Sequence, residues 1–214
     1  MFKSVFKKAK SFQSGNYWES RYKGGGNSGA GSYNHLAEFK AEIINGLISE
    51  HDLNSAIEFG CGDGNQLTLL KFRNYTGMDV SVSALELCSK KFAGDKGKNF
   101  FLYHHKAFVD NQGIFKADAA MSLDVLYHLV EKDVYETYLK HLFSTASKMV
   151  IIYAANVELP QKTEHELYRQ FTRDVEKLIP GWKLAKHIKN KYPAERYEDQ
   201  DKSLADFYIY LPAH

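Results

Sequence analysis

Short apolar runs alternate with longer amphipathic stretches along most of the chain. Runs of four to seven residues bounded by turn residues predict buried strands, and apolar residues at helical spacing predict helices. The run 117–123 is almost continuously small or apolar, which is typical of a central parallel strand. The predicted strands are 56–59, 75–79, 99–103, 117–123, 148–153, 182–188 and 205–211. The predicted helices are 35–47, 66–72 and 81–92, together with a stretch after Asp124 that continues to about Phe143 and a polar stretch at 159–174.

A glycine cluster follows the first predicted strand. Glu58 is the second-to-last residue of this strand, and Gly60, Gly62 and Gly64 stand at alternate positions after it. Glycine allows a tight turn and a close approach of the backbone to a ligand, and the N–H groups at the start of a following helix attract anionic groups. The pattern therefore predicts a cradle for a nucleotide-like ligand.

An acidic residue ends the second predicted strand at the spacing that ribose recognition requires. Asp79 lies nineteen residues after Gly60, where a carboxylate can accept hydrogen bonds from two ribose hydroxyls. The dinucleotide fingerprint G-x-G-x-x-G is not met, because Asn65 stands where the third glycine is required. An NAD-dependent oxidoreductase is therefore a disfavoured alternative.

The two motifs together are E-x-G-x-G-x-G, from Glu58, and G-x-D-x-S, formed by Gly77, Asp79 and Ser81. They resemble the first two motifs of the class I S-adenosylmethionine-dependent methyltransferases. The resemblance extends over the whole chain and implies an α/β fold. That fold is a Rossmann-like doubly wound, seven-stranded, mostly parallel sheet with an antiparallel C-terminal strand and helices on both faces. It also implies S-adenosyl-L-methionine as cofactor and S-adenosyl-L-homocysteine as product.

The resemblance also implies cofactor contacts from an aromatic segment ahead of the glycine turn. Trp18 and Tyr22 would wall the pocket, and Arg21 would pair with the methionyl carboxylate of the cofactor. The alternative is that the aromatic side chains pack on the surface and Arg21 is solvated. The predicted cofactor-binding residues are Tyr17, Trp18, Arg21, Tyr22, Glu58, Gly60, Cys61, Gly62, Asp79, Val80 and Asp124.

Three residues after the fourth predicted strand are the catalytic candidates. His128 is the predicted general base, since imidazole titrates near neutral pH; the alternative is a helical histidine hydrogen-bonded at the surface. Asp124 either contacts cofactor or acceptor or caps its helix, and Tyr127 either stacks on the acceptor or packs in the core. Adenine recognition is an open question, because no acid follows the third strand before Asp110. Asp110 or main-chain contacts are the alternatives.

The expected organisation is an N-terminal cap at residues 1–34 and a methyltransferase domain at 35–214. Residues 159–180 are a possible substrate lid, with a charged helix covering the sheet as the alternative. The segment 1–10 has apolar and lysine positions at helical spacing. It predicts a helix that packs on the domain or frays, rather than one that rests on a membrane surface.

Composition narrows the remaining possibilities. The net charge of +2 gives no reason to expect a polyanionic partner, and a basic cluster at 183–191 is better explained as a solvated strand edge than as a nucleic-acid site. Two cysteines favour a reduced, cytoplasmic setting. Neither a membrane span nor a signal peptide is predicted. No metal site is expected, because the adjacent His104 and His105 have no third ligand at zinc-like spacing.

The sequence therefore predicts methyl transfer to an oxygen or nitrogen of a small-molecule or glycan acceptor. The rival from a different class is a methyltransferase-like module that binds the cofactor without turnover. The oligomeric state cannot be read from the sequence.

Overall fold

A computed structural model describes residues 12–194 and 201–213 of the chain. The segment 1–10, predicted to form a basic helix, lies outside the described residues. The α-helices in the described residues are α1 (Ser14–Lys23), α2 (Asn34–His51), α3 (Val82–Lys91), α4 (Lys132–Ser144) and α5 (Phe171–Leu178). The strands in the same residues are β1 (Ser55–Phe59), β2 (Asn74–Asp79), β3 (Lys98–Leu102), β4 (Ala117–Leu123), β5 (Ala146–Ala154), β6 (Trp182–Ile188) and β7 (Asp206–Pro212).

The strands form one sheet in the order β3-β2-β1-β4-β5-β7-β6. Strands β1 to β5 pair in parallel, and β7 runs antiparallel between β5 and β6. The predicted fold class is confirmed. The strand order reverses between β1 and β4, whose pairing brings Glu58 opposite Met121. In open α/β sheets a ligand crevice forms at the carboxyl ends of the strands that flank such a reversal.

The sheet separates two apolar clusters, because successive side chains of a strand point to opposite faces. Ile57 and Phe59 of β1 belong to the cluster packed under α4. Ala56 belongs to the cluster that contains Phe39 and Ile44 of α2. The alternation directs the side chain of Glu58 to the α2 face of the sheet, so an acidic group enters the core next to that helix.

The predicted helix at 66–72 is wrong. A four-residue 3₁₀ turn, Gln66–Leu69, stands there, and Leu70 is already extended with φ −92° and ψ 142°. Leu70 and Phe72 are both buried, so the chain turns early to insert them into the core on its way to β2. The Gln66 side chain donates a hydrogen bond to the carbonyl oxygen of Ala37, 3.0 Å away, which holds the turn against α2.

Two further helix predictions need correction. After Asp124 the chain forms a 3₁₀ turn, Leu126–His128, and the α-helix begins only at Lys132. The stretch 159–174 is mostly irregular and becomes helical at Phe171. Its backbone and side chains bond to other parts of the protein: Leu167 N–H donates to Tyr127 O at 2.7 Å, and Arg169 donates to the carbonyl oxygen of Leu129 at 2.8 Å. These external partners replace helical hydrogen bonds.

Within the described part of the chain, none of the helices combines the length and the apolar character needed to cross a membrane.

Candidate functional site

A cavity of about 580 Å³ opens at the carboxyl ends of β1, β2 and β4, and we call it the large cavity. It is the crevice that the strand order predicts. Its walls come from α1, the glycine turn, the loop after β3 and the segment after β4. The predicted cofactor residues that line it are Trp18, Tyr22, Glu58, Gly60, Cys61, Gly62, Asp79, Val80 and Asp124.

The glycine turn is shaped by left-handed backbone conformations and by close packing. Gly60 has φ 84°, and a Cβ there would lie 2.5 Å from Cγ2 of Val125. Gly62 has φ 57°, and a Cβ there would lie 2.3 Å from Oγ of Ser28. Both positions therefore require glycine, on conformational and on steric grounds.

Asp79 holds this turn from the end of β2. Its Oδ2 accepts a hydrogen bond from the N–H of Gly62 and its Oδ1 one from the N–H of Ser81, each at 2.9 Å. Burial raises the pKa of Asp79 to about 6, although these backbone donors work in the opposite direction. The carboxylate is thus a buried acceptor fixed beside the cavity.

Glu58 is the second buried acid in the large cavity. Its carboxylate accepts a hydrogen bond from the hydroxyl of Tyr75. Burial raises the pKa of Glu58 to about 7, and the bond from Tyr75 and the charge of Lys40 moderate the rise. A buried acid without a full set of partners is costly when ionised, so a cationic or donor group in the cavity would stabilise it.

Helix α1 covers the large cavity and contacts both of its sides. The carboxylate of Glu19 accepts hydrogen bonds from the hydroxyls of Ser81, at 2.7 Å, and Ser83, at 2.8 Å, where α3 begins. At its other end, the N–H of Ser14 donates to Oε1 of Glu131 at 2.9 Å. The interpretation of residues 1–34 as an N-terminal cap stays a prediction.

The loop after α1 is tied to the glycine turn. The hydroxyls of Tyr22 and Ser28 are hydrogen-bonded at 2.9 Å. Asp63 in the turn accepts from the N–H of Ser28 at 3.0 Å and from the hydroxyl of Tyr33 at 2.7 Å. These bonds lower the pKa of Asp63 against the effect of its burial. Asp63 was not among the predicted site residues, and its position inside the glycine motif was the available signal.

A second cavity of about 260 Å³ lies on the other side of the segment 124–128, and we call it the small cavity. Its lining includes the aromatic pair Tyr127 and Tyr168, whose rings stack at 5.2 Å. Tyr17 and Arg21 line this cavity and not the large one. Arg21 Nε donates to the carbonyl oxygen of Asn27 at 2.8 Å. The structure does not bring Arg21 together with Glu58 and Asp79, and its contact with the cofactor stays a prediction.

Asp124 lies in the wall between the two cavities. It has φ 59°, a left-handed conformation that is uncommon outside glycine and best tolerated by Asn and Asp. Its Oδ2 accepts a hydrogen bond from Lys40 Nζ at 2.7 Å, and its Oδ1 accepts from the hydroxyl of Tyr127 at 3.2 Å. The interpretation as a helix cap is wrong, because Val125 precedes the 3₁₀ turn and no side chain caps it.

Lys40, like Asp63, was not among the predicted site residues. It is fully buried and also lies 5.2 Å from the ring centroid of Tyr153. The signal was its position in α2, four residues from both Leu36 and Ile44 on the apolar face. A lysine on that face needs a buried anion, and Asp124 is that anion.

His128 faces both cavities from the 3₁₀ turn. Its Nδ1 lies 3.2 Å from the carbonyl oxygen of His165. A carbonyl only accepts, so Nδ1 carries the proton and Nε2 has the free lone pair. Burial lowers the pKa of His128 to about 4, which keeps the ring neutral. Trp18 packs edge-on against it at 4.8 Å.

The loop after β3 closes the far end of the large cavity. His104 and His105 line it, whereas Asp110 does not. The carboxylate of Asp110 accepts hydrogen bonds from the N–H groups of Ile114, at 2.8 Å, and Phe115, at 2.9 Å. Asp110 is thus occupied within its own loop, and the suggestion that it substitutes for the missing acid is wrong.

Residues 57–148 match a family model described as a methyltransferase domain. This range spans the glycine turn, Asp79 and the segment 124–128. The match shows a methyltransferase domain in this part of the chain, and the fold around it is that of the S-adenosylmethionine-dependent methyltransferases. No curated protein matches the chain in sequence.

Solved methyltransferase structures share the fold. The N-methyltransferase NodS from Bradyrhizobium japonicum WM9, solved with S-adenosyl-L-homocysteine, is 12% identical with a TM-score of 0.71, over 95% of this chain and 100% of that chain. A SAM-dependent methyltransferase from Anabaena variabilis is 17% identical with a TM-score of 0.70, over 99% of both chains. The methyltransferase domain of bacterial CtHen1 is 20% identical with a TM-score of 0.64, over 84% of this chain and 100% of that chain. At these identities the likeness concerns the fold.

The residues of the large cavity fit S-adenosylmethionine, the cofactor of this methyltransferase. Asp79 would present its buried carboxylate to the ribose hydroxyls, and Glu58 would present its carboxylate to the methionyl ammonium group. Three residues that line the cavity have a buried polar atom without a hydrogen-bond partner among the described residues: Gln66 Oε1, His105 Nε2 and Glu131 Oε2. Buried polar atoms are normally paired, so these atoms indicate a polar ligand in the cavity.

The buried position of Glu58 predicts a pH dependence of stability in the methyltransferase without cofactor. Because the pKa of Glu58 rises from 4.5 to about 7 on folding, the folded state binds more protons between these values, and stability falls as pH rises. From pH 5 to pH 8, Glu58→Gln should gain roughly 2 to 3 kcal/mol in unfolding free energy relative to the unmodified protein. Urea unfolding at both pH values measures the difference.

Other titrating groups cancel in this comparison, since both proteins contain them. Glutamine still offers an oxygen to the hydroxyl of Tyr75, so the hydrogen bond is retained. The same substitution at Glu50, which is exposed on α2, is the control and should show no such gain. If the unfolding free energies of Glu58→Gln and of the unmodified protein change equally between pH 5 and pH 8, the raised pKa of Glu58 is contradicted.

Proposed function

We propose that the protein transfers the methyl group of S-adenosylmethionine to an oxygen or nitrogen of a small-molecule or carbohydrate acceptor bound in the small cavity. The observation that carries the proposal is the shared wall: Asp124 and His128 line both cavities. The cofactor supplies an electrophilic methyl group on a sulfonium. An acceptor in the small cavity would approach this group from the side opposite the leaving thioether, as in-line displacement requires.

Positioning and exclusion of water are the main contributions expected from the protein. Trp18 lines both cavities at their junction, and its ring packs against His128. The bonds of α1 to Ser81 and Glu131 hold Trp18 over this junction. The site can therefore keep the acceptor and the methyl group in contact while α1 shields them from solvent.

His128 is the proposed acceptor-orienting residue and base. Its unprotonated Nε2 can accept a hydrogen bond from an acceptor O–H or N–H, since Nδ1 is engaged by His165. As the methyl group arrives, the acceptor proton passes to Nε2. A pKa lowered to about 4 makes His128 a weak base in the ground state, so orientation of the acceptor is its larger share of the work.

The volume and lining of the small cavity support the proposed size and shape of the acceptor. At about 260 Å³ it has the size of a small molecule or of one sugar ring. The stacked rings of Tyr127 and Tyr168 offer a flat wall against which such a ring can pack. His165, Glu166 and Tyr168 come from the segment 159–180, which supports its proposed role as a substrate lid.

The fold alone leaves the acceptor open. Solved structures with this fold include an N-methyltransferase, a carbon methyltransferase and a magnesium protoporphyrin IX methyltransferase. A cytoplasmic location is part of the proposal and is supported by two buried cysteines that are both free thiols. The division into a cap at 1–34 and a catalytic domain at 35–214 is proposed likewise.

Formation of S-adenosylhomocysteine tests the proposal directly. Purified protein would be incubated with S-adenosylmethionine and a panel of small hydroxyl compounds, amines and sugars, and products would be identified by a mass gain of one methyl group. Acceptor-dependent product supports the proposal. Cofactor binding without turnover of any acceptor class would favour the alternative of a non-catalytic binding module.

His128→Ala should lower turnover by roughly 100-fold, in the range of general base catalysis, and leave the affinity for S-adenosylhomocysteine within about twofold. The reason is that the proposed role of His128 concerns the acceptor, whereas the proposed cofactor contacts come from Asp79 and Glu58. Steady-state kinetics and calorimetry measure the two effects. His51→Ala, an exposed histidine of α2 outside both cavities, is the control. Activity of His128→Ala close to that of the control would remove His128 from the mechanism.

A further inference from the structure

We propose that Glu131 and His105 recognise the adenine edge of S-adenosylmethionine, with Glu131 accepting a hydrogen bond from the 6-amino group. The inference rests on the assignment of this cofactor to the large cavity. It answers how adenine is recognised in a chain without an acid directly after the third strand. It also connects adenine recognition to the closed position of α1.

The first support is the state of the two side chains. Glu131 Oε1 accepts the N–H of Ser14, but Glu131 Oε2 is buried and has no partner among the described residues. His105 Nε2 is also buried and has no hydrogen-bond partner among the described residues. Leaving a buried polar atom unpaired costs roughly 1 to 3 kcal/mol, and more for a charged group. Both residues line the large cavity, so a ligand there can supply the missing partners.

The second support is their place along the sheet. Asp79, the proposed ribose ligand, ends β2, and β3 is the next strand outward. A base attached to that ribose extends toward the loop after β3, which carries His105. Glu131, from the segment between β4 and α4, lines the same cavity as His105.

The third support is the apolar surface between these groups. Val80 and Leu102 line the large cavity and are 38% and 58% exposed. Val80 follows the last residue of β2 and Leu102 is the last residue of β3, so both lie at the edge of the sheet where the base is expected. A planar aromatic ring packed against them would remove this apolar surface from water.

The hydrogen-bonding chemistry selects the base. An ionised carboxylate only accepts, and the adenine 6-amino group donates. A neutral histidine protonated at Nε2 can donate to an adjacent ring nitrogen. The pair thus presents an acceptor beside a donor, which complements adenine. Hypoxanthine, with a carbonyl oxygen at position 6, would place an acceptor against the Glu131 carboxylate.

The hydrogen bond from Ser14 to Glu131 predicts how the side chain of a Glu131→Gln variant is oriented. Since Ser14 N–H holds Oε1 of Glu131, the amide oxygen of Glu131→Gln should take that position and its NH₂ group should face the cavity. The variant would then present a donor where the unmodified protein presents an acceptor. A substitution of nearly identical shape reverses the expected preference between the two bases.

The test compares S-adenosylhomocysteine with S-inosylhomocysteine, in which a carbonyl oxygen replaces the 6-amino group, by calorimetric titration. The unmodified protein should bind the adenine compound at least about tenfold more tightly. Glu131→Gln should bind S-adenosylhomocysteine about tenfold more weakly and S-inosylhomocysteine equally well or better. Glu136→Gln, the same change at a residue of α4 outside the large cavity, should keep the original preference.

The possible results separate this inference from the cofactor assignment. If Glu131→Gln weakens both compounds by the same factor, Glu131 is only structural and the inference fails. If the unmodified protein binds both compounds equally, adenine is not read at position 6 and the inference fails while the cofactor assignment stands. If it binds neither, the cofactor assignment fails and the inference fails with it. Thermal unfolding of Glu131→Gln establishes that the variant is folded.

Discussion

Asp79→Ala is expected to lower the affinity for S-adenosylhomocysteine by roughly 100-fold or more. Asp79 is the buried carboxylate at the end of β2, and two ribose hydroxyls each lose a hydrogen bond to a charged acceptor, worth about 1.5 to 3 kcal/mol. The substitution also frees the N–H of Gly62, which Asp79 holds at 2.9 Å. The glycine turn would then lose part of its preorganisation, which adds to the loss of affinity.

The control must separate lost ligand contacts from lost backbone support. Asp118 provides it, because its Oδ2 accepts hydrogen bonds from the N–H groups of Asn54, at 2.8 Å, and Ser55, at 3.2 Å. These bonds lie at the opposite, amino end of β1. Asp118→Ala therefore removes a similar number of backbone contacts far from the large cavity. It should lower thermal stability without changing the affinity measured by calorimetry.

Two outcomes would contradict the role of Asp79. Unchanged affinity in a folded Asp79→Ala variant would exclude it as a ribose ligand. Equal losses of affinity in Asp79→Ala and Asp118→Ala would show that general destabilisation causes the effect. Asp79→Asn refines the test: it retains an oxygen for Gly62 but loses the charge, so an intermediate affinity is expected.

Features fixed by local chemistry could be predicted from the sequence. The apolar runs predicted the strands, and the signal is clearest for β4 because a buried parallel strand is continuously hydrophobic. The spacing of Gly60, Gly62 and Asp79 predicted a ligand site at the glycine turn. Few residue types tolerate a positive φ or a buried charge, so residues at such positions are informative. These signals lie within short stretches of the sequence and do not depend on which distant segments pack against them.

Features that depend on contacts between distant segments could not be predicted. The 3₁₀ turn at Gln66–Leu69 exists because Leu70 and Phe72 must reach the core, which outweighs the helical periodicity of this stretch. The segment before α5 is irregular because Arg169 bonds to carbonyl oxygens near His128. Tertiary partners decided both cases, and no pattern within the stretch itself names such partners.

Lys40 is a residue near the site whose role also depends on a contact with a distant segment. Its place on the apolar face of α2 was visible, but the anion that justifies it lies 84 positions later in the chain. The pairing also explains Asp124, whose left-handed backbone turns the carboxylate toward α2. A buried charge on a helix face is therefore a useful sign of a partner elsewhere, although the sequence alone does not identify it.

Asp124→Asn should destabilise the protein by about 3 kcal/mol or more, whereas Lys40→Met should cost less, about 1 to 2 kcal/mol. The difference follows from the partner left behind. Without the carboxylate, the Lys40 ammonium is fully enclosed and unpaired; without the lysine, the Asp124 side chain keeps 14% of its surface exposed and the bond from Tyr127. Asparagine tolerates the φ of 59° at this position, so backbone strain adds little.

The double variant Lys40→Met with Asp124→Asn isolates the ion pair. It should recover roughly 2 kcal/mol relative to the sum of the single variants, because neither residue is then left as an unpaired buried charge. Urea unfolding measures this coupling. Methyl transfer should remain low in the double variant despite its recovered stability, since the carboxylate is gone from the wall between the cavities. Additive unfolding free energies would show that the two charges do not support each other, and full activity of the double variant would exclude Asp124 from the reaction.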